Sequence, residues 1–558
     1  MRAILVETFF LALFPSIAAA AVLVGTVAWF FRLQIDNRFK LRSLNFDIPA
    51  AIFIICGAIS VFNSPARSFE LIYNYCAIVG IYALSYILVG QNIRTPEQLK
   101  NFAKALAASA FFVVMGGYFQ YIFGVDISDM KWVDGEAFPE LRKRVFSTLE
   151  NPNVLAGYLD VMICLALGVF SKVTNHTKKI IFLVVIVMLT ACLAMTYSRG
   201  AFLTLAIIFA IYGILKDWRI LILFAILTGI IIYGDPTFTH RILSVFTSTT
   251  DSSEGLRIGI WVSSISMIAD HPFIGAGWGA FKFVYPQYNY YLADPNITIY
   301  HAHNLYLQTA AEVGIVGALA YFWFFFGTMF NSLDFGKSKN PTEKISYIKE
   351  KFFEKLATIF VTSNFLQSLA NAKSMLMTRL AEICDKIMDK FSFTQSEKDI
   401  RESGKKDEDF SDEELVHHEE MKWKKKDKSD KNSDDDDKMD LQRFAQKDTL
   451  TELHEKIYMK DSEIVAGMKF GIGLAFLSMA LNGMSDDLLF NIQSSILMWQ
   501  LGALSAVIKI FEEDNYEKIF TSFTRGRVFY VEENFFGGMD FFYFGGKCFC
   551  GVHEYFRR

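Results

Sequence analysis

Along most of this chain, apolar residues come in long unbroken runs separated by short polar stretches. The pattern is neither the strict alternation of a strand nor the half-polar face of a surface helix. A helix crossing a bilayer needs about 20 mostly apolar residues. Eleven runs approach that length, near 8–31, 48–63, 70–90, 102–123, 153–171, 179–198, 201–215, 219–233, 304–329, 464–482 and 490–511. Ser198-Arg199-Gly200 and Lys216-Asp217-Trp218-Arg219 separate neighbouring runs that would otherwise read as single long helices. The pattern predicts an all-α, polytopic transmembrane helix bundle of about 11–12 spans.

Lys and Arg gather on alternate loops, and in multi-pass proteins such loops face the cytoplasm. Arg32, Arg38, Lys40 and Arg42 follow the first run, and Arg94 and Lys100 the third. Lys172, Lys178 and Lys179 follow the fifth, Lys216 and Arg219 the seventh, and a Lys-rich block the ninth. This assignment leaves the first run entering from outside, an awkward start that one more N-terminal helix would repair. No secretory signal peptide is expected, because the first run lacks a useful basic flank and a clear cleavage site. The remaining loops face outward, among them two too long to be connectors: Gly124–Asn153 and Gly234–His303.

Four segments follow from this pattern. Residues 1–330 form a transmembrane core with a long extracytoplasmic loop, 234–303. Residues 331–463 form a charged cytoplasmic insertion, helical in periodicity over Glu343–Phe393 and mixed in charge over Ser396–Lys460. Residues 464–511 supply the last two spans, and 512–558 a cytoplasmic tail. The insertion dilutes the composition to 52% hydrophobic with a net charge of -4, so bulk values alone hide the membrane character. The seven cysteines are scattered, and Cys548-x-Cys550 lacks a second pair, so no metal site is expected there.

The candidate chemistry lies on the outward loops. His301-Ala302-His303-Asn304 stands where the long loop enters the ninth run. An ordinary imidazole at the bilayer surface can reach a water-borne hydroxyl and take its proton near neutral pH. The bland reading of one such His is a hydrogen bond to a loop carbonyl. Arg199, between two apolar runs, is costly unless it faces a cavity or partner. Its guanidinium can grip phosphate oxygens bidentately or merely snorkel to headgroups.

Arg142, Lys143 and Arg144 sit on an outward loop, against the usual bias, and ask for an anionic partner. Asn151-Pro152-Asn153 reads as the turn that starts the fifth run. In the long loop, Arg241 and Arg257 add cations. Gly275-x-Gly277-x-Gly279 lacks the strand and the Lys-Ser/Thr of a nucleotide site, so a backbone turn is expected. Trp261, Trp278, Phe281, Tyr285, Tyr288, Tyr290 and Tyr291 suit either sugar stacking or an interfacial belt, with the belt expected for most. Ser485-Asp486-Asp487 reads as a solvated turn. Gly314 and Gly317 permit close helix packing.

Taken together, these residues resemble the O-antigen ligase and O-antigen polymerase superfamily of bacterial membrane glycosyltransferases. The pattern Arg-x-x-x-Leu is met by Arg199 and Leu203. The pattern His-Asn, nine residues, Gly, two residues, Gly is met by His303, Asn304, Gly314 and Gly317. The resemblance covers roughly residues 40–330 and more loosely 464–511; the insertion and the tail depart from it.

The resemblance implies a metal-independent, inverting transfer without cofactor, outside the bacterial cytoplasmic (inner) membrane. The donor would be a glycan on a polyprenyl diphosphate. The acceptor hydroxyl would belong to lipid A-core, another glycan or a protein. The other partners are membrane lipids, and no nucleic acid. It assigns His303 as base and Arg199 as diphosphate holder, with Arg142, Arg144, Arg241, Arg257, Asn304 and Trp261 as further contacts to diphosphate or glycan. A polysaccharide polymerase is the nearest alternative. A bicarbonate-like solute transporter would want paired ionisable groups near mid-membrane, and most charges here sit at run ends. A non-catalytic scaffold would leave His303 dispensable.

Overall fold

The computed structural model describes residues 1–66, 68–124, 144–236, 238–239, 252–289, 298–333, 463–487, 489 and 491–524. All regular structure among them is helical. Eight helices are long and apolar enough to cross a membrane, and three shorter apolar helices accompany them. Together they match the eleven runs one for one, and the chain is a multi-pass membrane protein.

In chain order the helices are α1 (Arg2–Phe10) and α2 (Pro15–Ile35); α3 (Asp47–Phe62) and α4 (Phe69–Asn92); α5 (Pro96–Phe123) and α6 (Pro152–Lys172); α7 (His176–Ala194), α8 (Arg199–Leu215) and α9 (Arg219–Gly234); α10 (Ser252–Asp270) in the long loop; then α11 (Leu305–Ser332), α12 (Glu463–Asn482) and α13 (Ile492–Thr524). The insertion, apart from its ends, and the tail beyond Thr524 lie outside the described residues, as do Arg142, Lys143 and Arg241.

The first run differs from expectation. It breaks at Leu11–Phe14, and Pro15 opens α2, where its missing N–H and fixed φ suit a first helical turn. Helix α1 folds back on α2, so that Ala3 lies against Gly25. The corner between them meets the 144–151 segment, where Thr148 Oγ1 donates to the Ala12 carbonyl at 2.6 Å. Residues 2–10 therefore rise from the Arg32 end and α2 returns to it. With nine residues, α1 is too short to cross a membrane by itself, and α2 alone supplies the first span.

The loops sort into two ends as the charge pattern predicts. At one end Arg42 reaches Gly90 and Ile93, and Thr174 reaches Glu463. At the other, Ser64 Oγ donates to the Ala276 carbonyl at 2.6 Å, Arg144 meets Thr196 and Leu305 N donates to the Gly483 carbonyl at 2.8 Å. Helices α6 and α12 approach most closely through Gly168, Gly467 and Gly471, where an added Cβ would meet backbone atoms at under 3 Å. Small residues at a membrane-helix contact permit this approach.

One break inside a helix shapes the site. Gly314 interrupts α11 with φ 70 and ψ 174, a conformation open to glycine. The Gly275–Gly279 loop docks into the break. Ala276 N donates to the Ala311 carbonyl at 2.8 Å, Gly277 N to the Glu312 carbonyl at 2.9 Å, and Ile315 N to the Pro272 carbonyl at 2.8 Å. The carbonyls and N–H freed by the break are thereby satisfied. Gly275, Gly277 and Gly279 all have positive φ, so the glycine run is a backbone turn. Phe281, Tyr285 and Tyr288 behind it are buried. These three form a small aromatic core beneath the loop and not an interfacial belt, because the loop has its own interior to fill.

Candidate functional site

The turn after α12 is the centre of the site. Asn482 is buried at its root; its amide donates to Asp160 Oδ2 at 2.7 Å and accepts from Thr204 Oγ1 at 3.1 Å. The Met484 carbonyl then accepts from Asn304 Nδ2 at 3.0 Å. Asn304 is also the N-cap of α11, its Oδ1 accepting from Tyr306 N and Leu307 N, each at 3.0 Å. Both ends of the Asn304 amide are thus engaged in holding the start of α11 to this turn.

So fixed, Asp486 meets four partners. His303 Nδ1 lies 3.1 Å from its Oδ1. The Asp487 N–H donates to the same oxygen at 2.9 Å. Asn153 Nδ2 donates to Oδ2 at 3.1 Å, and an Arg257 Nη2 stands 3.8 Å from Oδ2. Burial by itself would raise this carboxyl, but the His303 hydrogen bond and the charges of His303 and Arg257 outweigh it and hold Asp486 well below the usual carboxylate range. Asp486 is therefore ionised at neutral pH, and the His303 Nδ1–H is the donor. The expectation of a solvated turn at 485–487 fails here: Asp486 and Asp487 are largely enclosed, because loops from three parts of the chain close over them.

His303 itself has φ 49. Its N–H donates to His301 Nδ1 at 3.2 Å, and the two rings stand 4.1 Å apart. Burial, then the adjacent His303, pushes the His301 imidazole down to about 3, so it is neutral at physiological pH. With Asp486, the two histidines place three potential metal-ligand atoms within 4.8 Å of one another. The Arg257 guanidinium on the same carboxylate disfavours a cation there.

The cations converge from separate elements. Arg144 donates through Nε to the Thr196 carbonyl at 2.8 Å and through Nη2 to Asn153 Oδ1 at 2.7 Å. Asn153 thus links Arg144 to Asp486, while Asn151 caps α6 and Pro152 occupies its first turn, as the sequence predicts. Arg199 opens α8 just after Tyr197, whose φ of 53 makes the corner. The next residue, Gly200, faces Ser485, and a Cβ there would stand 3.0 Å from the Ser485 hydroxyl. Arg199 and His303 therefore flank one turn at one end of the bundle. Tyr197 Oη donates to Asp235 Oδ2 at 2.5 Å and ties the start of the long loop to the same corner.

Arg257 and Trp261 lie four residues apart on α10 and so share a face. The Trp261 Nε1–H is buried and meets no acceptor among the described residues. Helix α10 is held over the site through the glycine lock, where Glu312 Oε1 also accepts from Phe281 N at 3.3 Å. The sequence reading missed Asp486 as the hub and Asn153 as a bridge. The adjacent carboxylates of the last outward loop were the available signal.

Residues 183–322 match the O-antigen ligase family model. The match is to the family that the motifs resemble, and it covers about a quarter of the chain. The stretch runs from α7 through most of α11 and includes Arg199, Arg257, His301 and His303. The family-matched residues meet Arg144, Asn153 and Asp486 from outside the matched stretch. Comparison with curated proteins gives no match.

Proposed function

We propose that this protein moves a glycan from a polyprenyl diphosphate to an acceptor hydroxyl at the non-cytoplasmic face of the bacterial inner membrane. The observation that carries the reading is Asp486, which accepts from His303 on one oxygen and faces Arg257 on the other.

Asp486 fixes the imidazole tautomer with hydrogen on Nδ1. The Nε2 lone pair is then free to take a proton. An acceptor hydroxyl placed at Nε2 loses its proton there as its oxygen attacks the anomeric carbon. The bond from that carbon to the diphosphate oxygen breaks on the opposite face, so configuration inverts. The departing diphosphate gathers negative charge, which Arg257, Arg199 and Arg144 would offset. Such charge stabilisation contributes several kcal/mol in comparable sites. The donor is already activated, so the scheme needs neither nucleotide nor metal. Arg142 and Arg241 are candidates for the outer reaches of the glycan or diphosphate, and Trp261, with its uncommitted N–H, for a sugar hydroxyl. Lipid A-core, a glycan or a protein are the acceptors considered; the His303-Asn304…Gly314…Gly317 motif favours ligation, and chain polymerisation is the alternative.

The test is transfer by the purified chain in vesicles, with polyprenyl-diphosphate glycan as donor, no nucleotide and excess chelator. Product that disappears in His303→Ala and Arg199→Ala supports the scheme. Unchanged product in both variants removes it.

A further inference from the structure

At the end opposite this site, α2, α3, α4 and α13 enclose a cavity of about 360 Å³. Trp29, Ala51, Ile87 and Trp499 line it, and Arg42 and Gln91 edge it. It opens on the outer surface of the bundle, where Leu41 and Ala51 are exposed. We propose that it binds one acyl chain of an anionic diacyl phospholipid whose headgroup rests on the adjoining cations. This does not depend on the catalytic reading.

Three observations support this. The first is the wall: largely apolar and open on one side, its one acid, Asp47, accepting from Leu44 N and Tyr86 Oη. The second is the rim. The Arg32 and Arg94 guanidinium carbons stand 4.1 Å and 4.0 Å from the centre of the same Phe39 ring, and Arg38 and Lys40 flank that phenylalanine in sequence. Cation–π contact helps hold the two guanidinium groups there. The nearby Asp36, 3.7 Å from Arg32, offsets only one of these positive charges. Arg94 Nη2 also donates to the Lys40 carbonyl at 2.5 Å, which places this cluster beside Leu41 and Arg42 at the cavity edge. Basic pockets between helices on the cytoplasmic side suit anionic headgroups. The third is Trp29, whose buried Nε1–H faces no acceptor among the described residues. A glycerol-ester carbonyl between headgroup and chain would supply one.

The experiment uses the full chain, purified in detergent and titrated with phosphatidylglycerol or phosphatidylcholine of identical chains, read by native mass spectrometry. Phosphatidylglycerol should bind more tightly, by about fivefold for each engaged cation. Arg32→Gln with Lys40→Gln should reduce that preference by about fivefold for each of the two cations removed. Ala51→Trp fills the cavity from its exposed side and should remove one bound lipid of either type; Ala51→Leu should weaken it less. Unchanged elution and lipid-free melting temperature certify that each variant is folded. Equal affinity for the two lipids in the parent chain would overturn the headgroup assignment. Unaltered lipid retention in folded Ala51→Trp would overturn the cavity assignment. Recovery of polyprenyl phosphate in place of phospholipid would overturn the choice of occupant.

Discussion

His303 and Asp486 are separated by 183 residues in sequence, yet their side chains meet at 3.1 Å. One lies at the start of α11 and the other in the turn after α12, and Asn304 binds those two segments directly. The pair is thus built on a braced joint between helices, which suits a base that must present the same nitrogen to every acceptor.

Asp486→Asn tests that pairing. The variant keeps size and shape but loses the charge that selects the Nδ1–H tautomer. Transfer should fall by on the order of 10²–10⁴-fold, the usual range for a general base, while donor binding changes much less. The check is kcat and KM in the vesicle assay. A loss confined to KM would count against the base assignment.

His301 gives a pH prediction. Its folded pKa of about 3 lies below the ordinary histidine value of 6.5. The unfolded chain therefore binds a proton that the folded chain refuses, and folding weakens as pH falls from about 6.5 towards 3. His301→Asn retains an acceptor for the His303 N–H and does not titrate there. Melting temperature measured from pH 7 to pH 4.5 should drop less steeply in this variant than in the parent. Asp486 is also lowered from its ordinary value, but for a carboxylate the sign of the effect reverses: its contribution is present above the unfolded pKa and is lost as pH falls towards the folded one.

Gly314→Ala addresses the lock between α11 and the glycine loop. An added Cβ would come 2.3 Å from the Phe273 carbonyl oxygen, at a φ of 70. Backbone strain of this kind costs about 1–3 kcal/mol, and the clash adds to it. The variant should melt earlier and expose the 271–281 segment to protease. An unchanged protease pattern would show that the loop is held elsewhere.

Sidedness is checked by labelling. In a cysteine-free background, a cysteine at Lys143 or Tyr290 should react with an impermeant reagent from outside, and one at Asp430 should not. The reverse pattern would put the site in the cytoplasm, away from the proposed donor glycan.

Most of the helix framework was legible in the sequence, because a bilayer demands long apolar runs and leaves little choice of structure. What hydropathy could not show was the corner at Leu11–Phe14: those residues are themselves apolar, so no polar gap marks the reversal. At the site, His303 and Arg199 stood out because their motifs sit at run ends. Asp486 did not, since two adjacent acids in a short polar loop look like any solvated turn. Its partners come from three other parts of the chain, and contacts of that range leave no local periodicity to read. Gly314 was read as a packing residue, and its larger role required the loop that fills the break.

The corner between α1 and α2 also joins the start of the chain to the site. Thr148, which bonds to that corner, stands three residues before Asn151, the N-cap of α6, and five before Asn153, the partner of Asp486. A change in four apolar residues at the beginning of the chain would thus reach the Asp486 carboxylate through one short segment.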